Sequence, residues 1–199
     1  MQSIWTQTFT LKEGQTSYWQ IGSMELWIAR REGCLEIYQR QGSESHHNSL
    51  VVEMKTETPI PELSTVARIA LPEDDAVLRF APLTADRPVV VRPSQPFYVL
   101  ARSEACLYLS TPLWLSIRTE PAQRLLLEFP LYRLSDTWFG PSTRVGELCY
   151  ATRTRASLQP PQPPTPPHRA FTALTLVNRS GDPILLERVN LPAPNLSLF

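Results

Sequence analysis

Hydrophobic and polar side chains alternate along most of this chain. In "MELWIARREGCLEIYQR", Leu26 and Ile28 are followed, after Glu32-Gly33, by Leu35 and Ile37. A period of two puts one set of side chains on each face of an extended strand, and a glycine-containing pair between two such runs closes a hairpin. "ELSTVARIAL" places Leu63, Val66, Ala67 and Ala70 at helical spacing, so it predicts a short helix, with a strand fitting nearly as well. From Ala76 the runs come quickly: "AVLRF", "RPVVVRP", "PFYVLA", "ACLYLS" and "LWLSIR", separated by the turn signals "APLTAD", "PSQ", "RSE" and "TP". After a joint at "TEPAQ" follow "RLLLEFPLYRLS" and "VGELCYATRTRA". In "AFTALTLVNRSGDPILLERVNLP", Leu174 and Leu176 on one side and Ile184 and Leu186 on the other flank a tight turn, Asn178–Pro183, and predict a hairpin.

Short strands at this spacing predict an all-β protein of antiparallel, β-sandwich-like modules. With 199 residues there is room for two. The pattern places a first module over 1–120 and a second over 121–199, joined near Glu120. The segment 157–169, "SLQPPQPPTPPHR", lies between strand-like runs and reads as a stiff proline-rich hairpin loop inside the second module. Its overlapping P-x-x-P patterns also resemble a ligand for aromatic-grooved modules. The tail "VNLPAPNLSLF" reads as the start of another strand, so the second module is expected to be incomplete here, in a chain belonging to a longer protein.

Composition supports the strand reading. There are 20 prolines against 7 glycines, and prolines interrupt helices and separate strands. Basic and acidic residues both number 19, so the net charge is zero, whereas a nucleic-acid binder usually carries a basic excess. The balance conceals an asymmetry: 11 basic against 14 acidic residues over 1–120, and 8 against 5 over 121–199. All but Lys12 and Lys55 of the basic residues are arginines, which suit forked, bidentate ion pairs. Cys34, Cys106 and Cys149 are odd in number, far apart and flanked by apolar residues. They read as small buried hydrophobes, not a disulfide framework. No run approaches the roughly 18 apolar residues of a membrane span. The N-terminus lacks the features of a secretory signal, so a cytoplasmic protein is expected.

The densest patch of chemistry is "RLSDTWFGPSTRVGELCYATRTRA", residues 133 to 156. Ser135 sits beside Asp136, but no G-x-S-x-G elbow surrounds it. "LSDTWFG" reads as a turn, with Asp136 bonding nearby backbone and Trp138 and Phe139 folding back as a lid. Alternation in "YATRTRA" puts Arg153 and Arg155 on one face and Thr152 and Thr154 on the other. Like charges side by side call for an anion between them, which Glu147, Asp136 or Glu187 could supply, as could a phosphate or a partner's acidic patch; otherwise they are a solvated edge that deters aggregation. His46 and His47 are adjacent, point to opposite faces of a strand and make a poor chelate, and His168 stands apart in the proline-rich loop. No metal site, cofactor or phosphate-cradling glycine loop is legible. The tryptophans, scattered through the strands, read mostly as packing residues.

At "RPVVVRPSQPFYVL", "CLYLSTPLWLSI", "LSDTWFG" and "GELCYATRTRA" the chain resembles a domain-of-unknown-function family of uncharacterised bacterial and archaeal proteins. The resemblance runs from about Tyr18 to Phe199. It implies a soluble β-rich protein whose relatives usually continue past this chain's end, and it supplies no catalytic residues. "SLQPPQPPTPPH" and the loop around His46-His47 depart from the family's pattern. The residues therefore favour a non-catalytic binding module for another protein, or self-association through a sheet edge, with no nucleic acid as ligand. Its candidate recognition surface is Asp136, Trp138, Phe139, Arg144, Glu147, Arg153 and Arg155. The rival reading is a small-molecule or carbohydrate binder, or an enzyme, with a pocket near Asp136 and Trp138.

Overall fold

The computed structural model describes residues 4–42, 52–56, 59–60, 62, 65–71, 76–142, 144–154 and 156–199. Among them the chain is all-β. Its strands are β1 (Thr8–Leu11), β2 (Thr16–Ile21), β3 (Met24–Arg31), β4 (Cys34–Gln41), β5 (Val52–Thr56), β6 (Thr65–Ala70), β7 (Ala76–Leu83), β8 (Val89–Pro93) and β9 (Phe97–Val99). They continue as β10 (Ser103–Pro112), β11 (Trp114–Thr119), β12 (Leu125–Pro130), β13 (Ser135–Phe139), β14 (Glu147–Thr154), β15 (Arg169–Asn178), β16 (Ile184–Leu186) and β17 (Val189–Leu191). Two single 3-10 turns, Ile4–Thr6 and Ala193–Asn195, are the helical content of the described residues.

Two compact units interleave along the sequence. The first comprises Met1–Leu83, Trp114–Tyr132 and Pro166–His168. It holds a five-stranded antiparallel sheet in the order β5-β2-β3-β4-β6 and a four-stranded one, β1-β7-β11-β12. The hairpin read from alternation is present: Leu26 and Ile28 on β3, and Leu35 and Ile37 on β4, are all fully buried. Arg31 pairs with Cys34 across a two-residue turn in which Gly33 takes φ 71°, a left-handed conformation glycine adopts at no steric cost. Strand β3, central in its sheet, is buried on both faces. The two sheets meet through Phe9 of β1, Trp19 of β2 and Phe80 of β7, whose ring centroids lie 4.9–5.0 Å apart. Tilted aromatic contacts of this kind add to the gain from removing the rings from water.

The second unit comprises Thr84–Leu113, Arg133–Thr165 and Arg169–Phe199. Its main sheet runs β13-β14-β8-β17, and β14 and β8 are parallel. Beside it stand an antiparallel ribbon of β10 and β15, ten residues a side, and a short pair, β9 and β16. Val89 and Val91 of β8 with Leu191 of β17 fill the covered side of the main sheet. Polar residues tie the ribbon at both ends. Arg169 donates from Nε to Ser110 Oγ at 2.6 Å and from Nη2 to the Ser110 carbonyl at 3.0 Å. Asn178, buried, donates from Nδ2 to the carbonyls of Val99, Leu100 and Asp182 at 3.0, 2.9 and 2.8 Å.

Several local expectations are corrected. The helix expected in "ELSTVARIAL" is strand β6 from Thr65: Ile69 pairs with Leu35 and Ala67 with Ile37, so a free edge of β4 decides in favour of the strand. The hairpin expected across Asn178–Pro183 does not form. β15 pairs with β10 and β16 with β9, because the Asn178 amide ties its turn to the end of β9 instead of returning the chain along β15. "LSDTWFG" is largely a strand, β13, matched to β14, and the turn follows it. The proline-rich segment does not close a hairpin, because β14 and β15 have other partners. Ser157 instead bridges to Tyr108 of β10, and Pro166–His168 belong to the first unit. Glu120 lies between β11 and β12, which are antiparallel neighbours within the first unit. Cys149 is buried as expected, whereas Cys34 is half-buried and Cys106 exposed; all three are free thiols.

Candidate functional site

The main sheet of the second unit brings together two arginines from distant parts of the sequence. Strands β8 and β14 run parallel with Val91 beside Thr152, Arg92 beside Arg153 and Pro93 beside Thr154. Alternation turns Val91, Pro93 and Thr154 inward, where they are buried, and leaves Arg92 and Arg153 exposed. Register neighbours on paired strands lie about 4.8 Å apart at the backbone, so the two cationic side chains stand shoulder to shoulder. Among the described residues neither guanidinium has an ion pair or hydrogen bond.

Pro93 ends β8, and Ser94 folds back on β14: both its N–H and its hydroxyl donate to the Thr154 carbonyl, at 2.9 and 3.1 Å. This turn walls one side of an open groove of about 500 Å³. Arg92, Ser94, Ser135, Thr152, Arg153 and Glu187 line it, so two cations, hydroxyls and one carboxylate share its surface. Its volume falls within the range of ligand-binding clefts. A second cavity in the unit, lined by Val89, Leu113, Phe171, Leu191, Leu196 and Leu198, measures about 50 Å³. That is room for water rather than for a ligand.

The other candidates are distributed over the β13–β14 hairpin. Asp136 forms an ion pair with Arg87 at 3.3 Å, and Arg87 lies over the Tyr150 ring at 5.2 Å. Burial raises the Tyr150 hydroxyl above its ordinary value; a hydrogen bond to Asp86 and that carboxylate's charge push it the same way. Trp138 donates its indole N–H to the Ser142 carbonyl at 2.9 Å and stands half-exposed opposite Leu148. Phe139 lies under the Arg188 guanidinium at 5.2 Å. Glu147 accepts a 2.8 Å hydrogen bond from Asn190. Cys149, buried near Glu147 and Asn190, has its thiol pushed up by burial first and by the Glu147 charge second, so it stays protonated and a poor nucleophile. Arg144 is exposed at the hairpin tip. Arg155, His46 and His47 lie outside the described residues.

Among the described candidates, Arg153 is the one that lines the groove. Asp136 and Trp138, on the opposite face by alternation, line neither cavity. Glu187, one of the carboxylates read as able to stand beside the β14 arginines, lines the groove too, whereas Arg92 and Ser94 were not singled out from sequence. A lone arginine between Val91 and Pro93 gives no local sign that Arg153 will stand beside it, because the pairing joins strands some sixty residues apart. Among the described residues no group of three or more His, Cys, Asp or Glu side chains could hold a metal ion, and no helix is long and apolar enough to cross a membrane.

Residues 5–199 match the model of a family described as "Protein of unknown function (DUF432)". No curated protein and no solved structure matches the chain.

Proposed function

The chain belongs to the DUF432 family, and we propose that it is a non-catalytic recognition module that captures another protein through the arginine groove of its second unit. One observation carries this reading: Arg92 and Arg153 are held side by side with no carboxylate among the described residues engaging either. Two adjacent cations without a counter-charge repel each other, and an anionic ligand between them relieves the repulsion. The composition of the second unit supports the same reading. Its sequence holds 10 basic and 6 acidic residues, a net +4, against 9 and 13 in the first unit. The three free thiols fit a reducing compartment, and the cytoplasm is the proposed location.

The test is affinity capture from a lysate with the wild-type chain and with Arg92→Gln/Arg153→Gln. Neutralising both arginines is expected to abolish capture while leaving the circular dichroism spectrum unchanged. Undiminished capture would remove the groove from the account. A second reading, self-association, is favoured by β15: it forms an edge of its ribbon, and Ala170 to Val177 include no charge and no proline. A sedimentation-derived mass that doubles with concentration, and that Thr175→Lys returns to the monomer value, would support it; a constant monomer mass would exclude it.

A further inference from the structure

The groove's charge pattern narrows the partner. Resting on the reading above, we propose that the occupant is an extended peptide segment of a partner protein carrying two carboxylates, two residues apart, followed or preceded by a lysine or arginine. In extended peptide, side chains at i and i+2 share a face and stand about 6.8 Å apart. That spacing lets one carboxylate reach each guanidinium when Arg92 and Arg153 splay apart under their own repulsion. Each guanidinium then makes a charge-assisted, bidentate contact.

Glu187 supplies the other half of the pattern, since it lines the same groove without an ion pair to either arginine. A uniformly anionic strand, such as a nucleic-acid backbone, meets repulsion there. A peptide whose acidic pair is flanked by a basic side chain meets attraction at all three positions. Ser94 and Ser135 offer hydroxyls to the peptide backbone. The occupant assigned is thus acidic and basic by turns, and the groove selects against polyanions through a like charge.

The probe is a labelled synthetic peptide with glutamates at i and i+2 and a lysine two residues outside each, so that binding direction is immaterial. Its binding is followed by fluorescence polarisation. Replacing both glutamates by glutamine, or using the protein variant Arg92→Gln/Arg153→Gln, is expected to weaken binding about tenfold or more. Replacing the lysines by alanine is expected to weaken binding to the wild type by several fold, and to change nothing for Glu187→Ala. Three outcomes would overturn the inference: no binding of the probe, binding indifferent to the glutamates, or more effective competition by a single-stranded oligonucleotide or by inorganic phosphate than by unlabelled probe. If any of these occurs while lysate capture still depends on the two arginines, the recognition reading stands and the peptide chemistry is wrong. If capture is also indifferent to them, both fail.

Discussion

Charges that face each other across paired strands are treated differently in the two units. In the first, Glu25 is the register partner of Arg40, and their side chains meet at 2.6 Å. Glu36 is the partner of Arg68, and they meet at 3.1 Å. Even where that unit sets two arginines opposite each other, Arg79 and Arg118, each has a carboxylate of its own: Glu120 at 3.6 Å and Glu128 at 4.0 Å. These facing charges of the first unit are each matched by a carboxylate or a guanidinium. In the second unit Arg92 faces Arg153, and among the described residues no carboxylate pairs with either. The unbalanced pair coincides with the groove of about 500 Å³, which supports the proposal that it receives an external anion. The units differ in their interiors as well: an aromatic trio joins the sheets of the first, whereas buried Arg169 and Asn178 tie down the ribbon of the second.

The largest effect belongs to the aromatic trio. Phe80→Ala is expected to cost about 3–5 kcal/mol in urea unfolding, since it removes a fully buried ring from between two sheets. A loss below about 1 kcal/mol would mean that the trio does not join them as described. Next comes the polar tie of the second unit. Asn178→Ala strands the Val99 carbonyl and leaves the Leu100 carbonyl with Ser103 as its remaining donor, and is expected to cost about 1–3 kcal/mol. Hydrogen exchange should show faster opening of the Asn178 end of the ribbon than of its Arg169 end.

How much of this was legible beforehand follows the range of the contacts. The β3–β4 hairpin was legible because Leu26, Ile28, Leu35 and Ile37 alternate on either side of a two-residue turn, and all the information lies within that stretch. Strands β7 to β11 were legible one at a time from apolar runs bounded by turn residues. Their partners were not. The β15–β16 hairpin failed because the Asn178 side chain competes with the strand ladder, and side-chain bonds of that kind leave no periodic trace. β13 was read as a turn because Ser135, Asp136 and Thr137 suit turns locally, while pairing with β14 imposes the strand. Of the groove, sequence reasoning found Arg153 and its need for an anion. It also named Glu187 among the carboxylates within reach of that strand, but missed Arg92, because a parallel pairing has no hairpin to announce it.

Smaller changes sharpen the charge comparison. Glu25→Arg turns an opposite pair into a like pair and also removes the acceptor of the Tyr18 hydroxyl, and is expected to destabilise the first unit by about 1–2 kcal/mol. Adding Arg40→Glu to the same chain should recover part of the melting temperature, and a double variant that melts no higher than Glu25→Arg would show that the pairing is inconsequential. The smallest effect concerns pH. The Cys149 thiol is raised from an ordinary value of 9.0 by burial, so its protonated form favours the folded state. That stability is fully present below 9.0 and is lost as pH rises through the higher folded value. Urea midpoints should therefore fall less steeply above that pH in Cys149→Ala than in the wild type; identical slopes would show that the thiol makes no contribution.

The central claim is that Arg92 and Arg153 are left unbalanced for a ligand's sake. It is tested most directly by Arg153→Glu, which installs across β8 and β14 the opposite-sign pairing found in the first unit. Melting temperature and partner capture should be measured on the same preparation. The account predicts a melting temperature equal to or above that of the wild type, together with loss of capture; a lower melting temperature with capture intact would contradict it.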